Sequence, residues 1–474
     1  MTQFNHIVER ESGLRRDLSS AQLSMIAIGA AIGTGLFLGS GFAIGFAGPS
    51  VLVSYGFGAV IALLLMGCLA EMTAAHPTAG SFGSFAEHYV GPFAGFSVRY
   101  AYWASLVLAI GTEVTAIAIY MRYWFPEVPG WYWITGFSLA LVGVNLINVR
   151  IFGNVEYTFS FVKISTILLF IVLGARLVFT APSDSGIGFS NYVSHGGFFP
   201  KGLSGTWAAV IPACFSYLGI EMIAVAAGEA KEPEKAVGRA FRLTLVRLLF
   251  FYILTLGLMM AIIPWPEAST RESPFVKVME ATQVPGAASL INFVVLVAAL
   301  SAMNSQLYTA TRMMFSLARG RQAPRFFGVI NSRGIPAAAL GLSSIGIGIA
   351  VLLSIFFADI AFAFMNAVSI FGGLFAWLMI FITHLFFRAR SRGLALPFRM
   401  WGYPFTSLLG AAIVAAVMGT TWFVPEFKSS LIYGLPFLAV LALLHRFALP
   451  AHARERPTAM ASSAILQKAR EGDF

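Results

Sequence analysis

The stretch IGAAIGTGLFLGSGFAIG, residues 28–45, decides how this chain folds, because it combines strong apolarity with an unusual density of glycine. It lies inside residues 18–70, which contain no Asp, Glu, Lys or Arg at all. A helix of about 20 apolar residues is long enough to cross the roughly 30 Å hydrocarbon core of a membrane. Residues 18–70 therefore predict two membrane-spanning helices joined by a short connection.

The rest of the chain continues this pattern. Of its 474 residues, 58% are apolar and 11% are charged, whereas soluble domains carry roughly 25% charged residues. Further apolar runs poor in charge predict about twelve spans in total. The predicted spans are 20–46, 49–75, 95–124, 131–149, 155–179, 203–229, 239–263, 286–317, 336–357, 359–387, 404–424 and 430–449. The expected fold class is an all-α membrane protein surrounded by lipid.

The basic residues divide unequally between the two sides of these spans. With the N-terminus placed in the cytoplasm, that side receives Arg10, Arg15, Arg16, Lys231, Lys235, Arg239, Arg242, Arg319, Arg321, Arg325, Arg333, Arg388, Arg390, Arg392, Arg399, Arg454, Arg456, Lys468 and Arg470. The other side receives Arg122, Arg176, Lys201, Arg271, Lys277 and Lys428. Because cytoplasmic loops are enriched in Lys and Arg, we expect both termini in the cytoplasm and the protein in the inner (cytoplasmic) membrane.

The sequence lacks the residue patterns that several classes of function require. The formal net charge of +10 is spread over the loops and forms no basic patch, so nucleic acid is not an expected partner. No GxxxxGK[ST], HExxH, GxSxG or CxxC motif is present, which excludes ATP-driven pumping by this chain and the commoner enzyme chemistries. Cys68 and Cys214 lie in apolar segments, so neither a disulfide nor a metal site is expected. No cofactor and no catalytic residue is predicted, and a gradient must supply the energy.

Two spans carry signals of an interrupted helix. Gly33-Thr34-Gly35 in the first span is an expected break, where free backbone N–H groups can hold an anion such as a carboxylate. Close packing of helices through small residues is the alternative explanation for the same glycines. The sixth span contains the second signal, PACFSYLGIE at 212–221. Paired breaks in two halves of a chain are typical of transporters with inverted repeats and a site at the membrane midplane.

The breaks and the span count predict the organisation of the chain. We expect a first five-helix repeat at 20–179, a second five-helix repeat of inverted orientation at 203–387, and two extra transmembrane helices at 404–449. The polar segments 1–19 and 450–474 are predicted to be cytoplasmic tails. Since residues 1–18 are polar and lack the apolar core of a cleavable signal peptide, the first span is expected to stay in the protein.

Three ionisable side chains, Glu113, Lys163 and Glu221, lie well inside apolar runs. A charge at bilayer depth is costly unless it faces a cavity or a partner, so each is a candidate for function, with the proton as a possible coupling ion. A structural ion pair of the lysine with a carboxylate is the competing interpretation. Snorkelling and local pairing are expected instead for Glu71, Glu156, Glu229, Arg99, Arg247 and Arg312, which lie near the cytoplasmic span ends.

The eighth and tenth spans carry polar side chains as well. Ser301, Ser305 and Thr309 share one face of the eighth span, and Asn304 lies beside them. Asn366 and Ser369 are found in the tenth. Such groups either bond a neighbouring helix or line a polar path.

Five segments carry a resemblance to a known family, over residues 13–447. They are LRRDLSSAQLSMIAIGAAIGTGLFLGSG (14–41), AGPS (47–50), FGNVEYTFSFVKI (152–164), FSYLGIEMIAVAAGEAKEPEKA (215–236) and INFVVLVAALSAMNSQLYTATRMMFSLA (291–318). Together they resemble the amino acid permeases of the amino acid–polyamine–organocation superfamily, in its bacterial amino acid transporter branch.

The resemblance implies twelve helices in a five-plus-five inverted repeat, with broken first and sixth helices and two extra C-terminal helices. It also implies uptake of amino acids together with protons. By this likeness the substrate carboxylate meets Ala31, Gly33, Thr34 and Gly35, and its amino group meets Ile28, Phe215, Ser216 and Gly219. Phe215 resembles the aromatic residue that closes over the substrate. Lys163 matches a fifth-span lysine that stands where sodium-coupled relatives hold a cation.

The expected function is therefore import of an amino acid with a proton, with Lys163, Glu113 and Glu221 as the coupling residues. A neutral substrate is favoured; cationic or γ-amino acids, and exchange of one amino acid for another, stay open. A substrate sensor lacks a signalling domain here, and a membrane enzyme lacks a nucleophile and base. Met303, where relatives often have a small residue, either narrows the cavity or faces lipid. The identity of the amino acid and the number of subunits stay open.

Overall fold

The computed structural model describes residues 2–182, 185–231, 233–268, 273–391 and 398–449, with the backbone alone for residues 2, 3, 27, 233–247, 358 and 359. The predicted C-terminal tail, 450–474, lies outside these residues, as do Arg271 and Arg392.

Regular structure in these ranges is helical throughout. The helices are α1 (Thr2–Arg10), α2 (Ser20–Ala31), α3 (Thr34–Phe37), α4 (Gly39–Ala47), α5 (Val51–Ala75), α6 (Ser81–Tyr89), α7 (Pro92–Arg122), α8 (Gly130–Asn145), α9 (Val149–Thr180), α10 (Gly202–Ala208), α11 (Val210–Tyr217), α12 (Met222–Ala226), α13 (Pro233–Ile262), α14 (Pro274–Ala281), α15 (Ala287–Arg319), α16 (Ala337–Ser343), α17 (Ile345–Phe356), α18 (Ala358–Arg390), α19 (Phe405–Thr420) and α20 (Lys428–Leu443).

The described part of the chain contains nine stretches long and apolar enough to cross a membrane, and two shorter apolar helices, Leu248–Ile262 and Phe405–Thr420, accompany them. Each predicted span coincides with helical structure; the third, for example, was expected at 95–124 and is α7. The predicted all-α, multi-span membrane fold is therefore confirmed.

The first span is interrupted where glycine predicts it. A capping box at Ser19 and Gln22 starts α2: the Ser19 hydroxyl accepts the Gln22 N–H, and the Gln22 side chain accepts the Ser19 N–H at 2.9 Å. The helix ends at Ala31, and Gly33 adopts an extended backbone (φ −127°, ψ −154°) before α3 begins. The chain therefore leaves the α-helix after Ala31 and re-enters it at Thr34, with Ile32 and Gly33 outside the helices.

The second interruption falls between α11 and α12. Gly219 has φ +109°, a conformation that glycine tolerates and side-chain-bearing residues avoid. Pro212 lies in the first turn of α11 and has no N–H to donate to Ala208, the last residue of α10. The proline thus separates α10 from α11, and Gly219 makes the wider break that follows.

The two broken spans lie in the middle of the helix bundle. The long helix α7 packs on both α15 and α18, while α2 packs on α9, α13 and α15. The segment α11 packs on α4 and α5, so the two broken spans also contact each other. The last two helices, α19 and α20, pack on α18 and contribute less to the buried centre.

The N-terminal segment, predicted as a polar tail, is folded against the bundle. Glu11 follows α1 and is buried, with its carboxylate accepting the Thr78 hydroxyl, the Gly80 N–H at 2.8 Å and the hydroxyls of Ser84 (2.8 Å) and Ser316 (2.5 Å). The polar residues of this segment therefore have partners inside the protein, which its composition does not reveal.

Candidate functional site

The two breaks touch each other directly. A Cβ placed on Gly219 would lie 2.5 Å from the carbonyl oxygen of Ala30, and one on Gly35 would lie 2.9 Å from the Cα of Ser216. The Ser216 hydroxyl donates to the Gly35 carbonyl oxygen at 2.7 Å. Glycine is thus required at both positions for the two backbones to approach this closely.

Two tyrosines that the sequence analysis did not single out bind these breaks together. The Tyr252 hydroxyl lies 3.0 Å from the carbonyl oxygen of Ala31 and 2.7 Å from that of Ser216. The Tyr55 hydroxyl lies 2.8 Å from the Ser216 hydroxyl. The Tyr252 phenol therefore bridges the first and second breaks. Ala31 and Tyr252, which it brings into contact, are more than 200 residues apart in the chain.

A cavity lies between the breaks. Among the residues predicted for the site, those that line it are Ala31, Gly33, Gly35, Glu113, Phe215, Gly219 and Glu221. The predicted residues outside its lining are Ile28, Thr34, Lys163 and Ser216. The wall is completed by residues of α7, α15 and α18, including Tyr102, Ser105, Gln306 and Ser369.

Glu113 faces the start of α3. Its Oε2 lies 3.4 Å from the backbone nitrogen of Thr34, and its Oε1 lies 3.4 Å from the side-chain nitrogen of Gln306. The Thr34 hydroxyl and the Gln306 carbonyl oxygen are buried without a hydrogen-bond partner among the described residues. Unsatisfied buried groups of this kind cost about 1–3 kcal/mol each, so a polar ligand that bonded them would be stabilised.

Lys163 contacts the first break but does not line the cavity. Its ammonium donates to the carbonyl oxygens of Gly29 (2.5 Å) and Ile32 (3.0 Å) and to the Ser301 hydroxyl (2.7 Å). The side chain is fully buried. All three ammonium donors are therefore used, two of them on carbonyls at the end of α2.

Glu156, expected to snorkel or pair at a span end, is instead fully buried. The Ser301 hydroxyl donates to its Oε1, and the Asn304 side-chain nitrogen lies 3.2 Å from its Oε2. Asn145 in turn donates to the Asn304 oxygen at 2.8 Å. The sequence does contain an indication of this burial. Glu156 lies seven residues before Lys163, and this spacing puts both side chains on one face of α9.

Glu221 is held by groups from two helices, α7 and α18, and by its own break. Its carboxylate accepts the Tyr102 hydroxyl (2.6 Å), the Trp377 indole N–H (3.0 Å) and the Gly219 N–H (3.2 Å). In the described residues no salt bridge joins Glu113, Lys163 or Glu221 to a partner of opposite charge. The structural ion pair considered for these residues is therefore not observed.

The glycines of the first span serve both of the purposes considered for them. A Cβ on Gly29 would lie 2.2 Å from the Ser160 hydroxyl and 2.3 Å from the Glu156 carboxylate, so Gly29 is needed for helix packing. Gly33 marks the break itself. Gly45, near the end of α4, has no heavy atom within 4 Å of its Cβ position, so neither purpose applies there.

The polar side chains on α15 were expected either to bond a neighbouring helix or to line a polar path, and they differ in what they do. Ser301 and Asn304 take part in the contacts of Glu156, whereas the Thr309 hydroxyl donates to the Ser305 carbonyl of its own helix. Met303 is fully buried in the apolar core and does not line the cavity.

Four of the six charged residues expected to snorkel or pair near the span ends form local ion pairs: Glu71, Glu229, Arg99 and Arg312. The contacts are Glu229–Arg312 at 2.7 Å, Glu87–Arg99 at 2.7 Å and Glu71–Arg388 at 2.6 Å, and Arg247 is described by its backbone alone. These groups therefore neutralise one another away from the cavity.

Comparison with known proteins gives matches along almost the whole chain. The family model of amino acid permeases matches residues 22–449. An amino acid permease of Bacillus subtilis, YtnA, is 37% identical over 92% of this chain and 96% of its own length. The γ-aminobutyric acid permease of the same organism is 36% identical over 90% and 91% of the two chains. Its probable threonine/serine transporter YbxG is 36% identical over 91% and 94%.

Proposed function

Because the chain belongs to the amino acid permease family, we propose that it imports a neutral amino acid across the cell membrane together with a proton. The proposed substrate site is the cavity between the two breaks together with the backbone that adjoins it. Of the residues proposed for it, Ala31, Gly33, Gly35, Phe215 and Gly219 line the cavity, and Ile28, Thr34 and Ser216 belong to the adjoining segments. Family membership makes the protein a transporter and not an enzyme; the proton, the substrate class and the site are our proposals.

One observation carries the proposal: the Thr34 N–H, at the start of α3, lies 3.4 Å from the Glu113 carboxylate. The start of a helix favours negative charge, so a substrate carboxylate and the Glu113 carboxylate compete for the same place. Two adjacent carboxylates are unfavourable when both are charged. Binding of a substrate carboxylate at Thr34 would therefore favour uptake of a proton by Glu113, which couples the two.

Lys163 supports proton coupling in a second way. Its ammonium already satisfies the carbonyl oxygens of Gly29 and Ile32 beside the break. Unwound carbonyls of this kind coordinate sodium in ion-coupled transporters. A side-chain cation at that place removes the need for a metal ion, and its loss or gain of a proton changes the charge beside the substrate site.

Two observations support a neutral substrate. Glu221 lines the cavity, but its carboxylate already accepts hydrogen bonds from Tyr102, Trp377 and Gly219. It is therefore less available to pair with a cationic substrate side chain. One relative is named as a γ-aminobutyric acid permease and another as a probable threonine/serine transporter, and these compounds are uncharged overall at neutral pH; a third relative is named as a putative histidine permease.

We also propose the arrangement in the membrane that the sequence predicts. The repeats are 20–179 and 203–387, the extra helices are 404–449, and both termini lie in the cytoplasm. The excess of Lys and Arg on that side supports this orientation. Cysteine labelling from either side of the membrane at Lys201 and Arg325 would test it.

Uptake by purified protein in liposomes tests the function. A panel of unlabelled amino acids competing with one labelled substrate defines the class, and we expect neutral amino acids to compete best. An inward proton gradient should raise accumulation in vesicles without internal amino acid. If uptake ignored the gradient but required internal amino acid, the protein would be an exchanger and the proposed coupling would be wrong.

A further inference from the structure

We propose that Glu156 is the proton-accepting partner of Lys163, joined to it through the Ser301 hydroxyl. This inference rests on the proposed proton coupling and adds to it a residue outside the cavity. Glu156 does not line the cavity. It is a positioning and proton-carrying residue that acts through Lys163.

A continuous chain of hydrogen bonds connects the two side chains. The Lys163 ammonium donates to the Ser301 oxygen at 2.7 Å, and the Ser301 hydroxyl donates to Oε1 of Glu156. All three side chains are fully buried, with no exposed surface. The amine and the carboxylate thus communicate through one hydroxyl and are shielded from bulk water.

The other oxygen of Glu156 is held in place as well. Asn304 donates to Oε2 at 3.2 Å, and Asn145 donates to the Asn304 oxygen at 2.8 Å. The carboxylate also lies against Gly29, where a Cβ would come within 2.3 Å of Oε1. Amides from two helices therefore orient the carboxylate toward Ser301, while the backbone of α2 packs directly on it.

Few other titratable groups could replace Glu156 or Lys163 in this role. The helices packed against α9 are α2, α8, α13, α14 and α15. The titratable side chains described on these helices and on α9 itself, other than the pair, are Tyr132, Arg150, Tyr157, Arg176, Tyr252, Lys277, Glu280, Tyr308, Arg312 and Arg319. Arg312 and Tyr308 bond Glu229, and Tyr252 bonds the two breaks. Glu113 faces the first break from α7.

The step is a proton transfer through the hydroxyl. An N–H bond of the Lys163 ammonium breaks and its proton joins the Ser301 oxygen, while the hydroxyl proton of Ser301 passes to Oε1 of Glu156. Lysine changes from +1 to neutral and glutamate from −1 to neutral, so the net charge of the pair stays zero and serine is unchanged. The buried site therefore loses a cation beside the break without gaining a net charge.

The geometry also gives the transfer a direction. The backbone of Glu156 lies seven residues, or about 10 Å along a helix, closer to the start of α9 than that of Lys163, and the two side chains meet at the Ser301 hydroxyl. The start of α9 is next to Arg150, on the side predicted to be cytoplasmic by its basic residues. A proton that moves from Lys163 to Glu156 thus moves away from the substrate site and toward the cytoplasm.

Liposome transport of Glu156→Gln tests this assignment, because glutamine keeps the size and hydrogen bonding but cannot accept the proton. We expect loss of accumulation driven by a proton gradient, with counterflow of labelled against unlabelled substrate retained, since exchange needs no net proton movement. The pH dependence of counterflow should flatten. Accumulation equal to wild type would overturn the assignment, and so would loss of counterflow in correctly inserted protein, which would indicate a structural role only.

A second pair of variants tests the bridge independently of Glu156. Ser301→Ala removes the hydroxyl and should lose accumulation, whereas Ser301→Thr keeps a hydroxyl and should retain it. Thr309→Val, which removes a hydroxyl bonded only within its own helix, is the matched control and should transport as wild type does. If Ser301→Ala accumulates normally, the bridge is wrong. If the wild-type protein does not respond to the gradient, the proposed proton coupling is wrong, and so is the role of Glu156 that rests on it.

Discussion

The carboxylate of Glu113 lies 3.4 Å from the backbone nitrogen of Thr34, so a buried acid from α7 faces the first residue of α3 across the break. A Cβ on Gly33 would lie 3.0 Å from the same carboxylate. The acid, the break and the cavity are thus adjacent to one another, and the proposed coupling between Glu113 and a substrate carboxylate rests on this arrangement.

Replacing Glu113 by glutamine removes this charge with little change of shape. We expect gradient-driven accumulation to fall by about tenfold or more, within the usual range of coupling between two ligand sites, while counterflow continues. Proteoliposome uptake with and without a proton gradient measures both. Glu127→Gln, an exposed carboxylate in the loop after α7, is the control, and an unchanged Glu113→Gln would contradict the coupling by competition at Thr34.

The contact between the breaks predicts the effect of added methyl groups. Gly219→Ala would place a Cβ 2.5 Å from the Ala30 carbonyl oxygen at φ +109°, and Gly33→Ala would place one 2.8 Å from the Ala302 Cβ. Both variants should reach the membrane with transport strongly reduced. Uptake normalised to protein in the membrane measures this.

Gly45→Ala is the matched control for these variants. It lies in the same span as Gly33, and its Cβ position has no heavy atom within 4 Å. Exchanging glycine for alanine within a helix gains about 1 kcal/mol in helix propensity, so this variant should transport normally. Equal loss in all three variants would mean that the close approach of the breaks is not the cause.

Because the Tyr252 hydroxyl bonds both breaks, its removal should loosen the packing of the two breaks against each other. Tyr252→Phe leaves the ring in place but removes the bonds to the Ala31 and Ser216 carbonyls, at a cost of about 1–3 kcal/mol. Transport and thermal stability in detergent should both decrease. Tyr192→Phe, which removes a bond to the Gly257 carbonyl, should lower stability with little effect on uptake; a Tyr252→Phe protein with normal uptake would argue against the bridge.

The docking of the N-terminal segment predicts a pH dependence. Burial alone raises the pKa of Glu11, but the guanidinium groups of Arg99 and Arg10 and the Ser316 and Thr78 hydroxyls outweigh it and hold the pKa below its ordinary value. The stabilisation from such a group is present above the ordinary carboxyl pKa and is lost as the pH falls through the folded-state value. The segment should therefore remain docked at neutral pH and loosen only in strong acid.

Glu11→Gln should weaken the same docking by about 1–3 kcal/mol at neutral pH, because it removes the negative charge beside the fully buried Arg99 and the partly buried Arg10. The rate of tryptic cleavage after Arg15 and Arg16, both exposed, reports on undocking and should rise. Glu9→Gln, an exposed acid in the same segment, should leave the rate unchanged. Resistance of Glu11→Gln equal to wild type would show that other contacts hold the segment.

Much of the architecture follows from the sequence because its causes are local. The spans follow from the length of apolar runs against the thickness of the membrane. The breaks follow from glycine and proline, as Gly33 and Gly219 confirm. Lys163 and Glu113 stand out because a charge within an apolar run is rare and costly.

Contacts between distant segments required the tertiary structure. Sequence position assigned Glu156 to a span end, yet its partners Ser301 and Asn304 lie about 145 residues further on and bury it. The N-terminal segment has a polar composition, but Glu11 is held by residues of α6 and α15 and of the connection after α5.

The sequence by itself thus determined the all-helical membrane fold, the two interruptions and the family, since each depends on residue type and spacing along one segment. The tertiary structure alone decided which predicted residues line the cavity. It also decided that Lys163 contacts the first break without lining the cavity, and that Tyr252 bonds both breaks. The physical reason is that hydrogen bonds and close packing depend on which helices meet, and that is determined by the whole bundle.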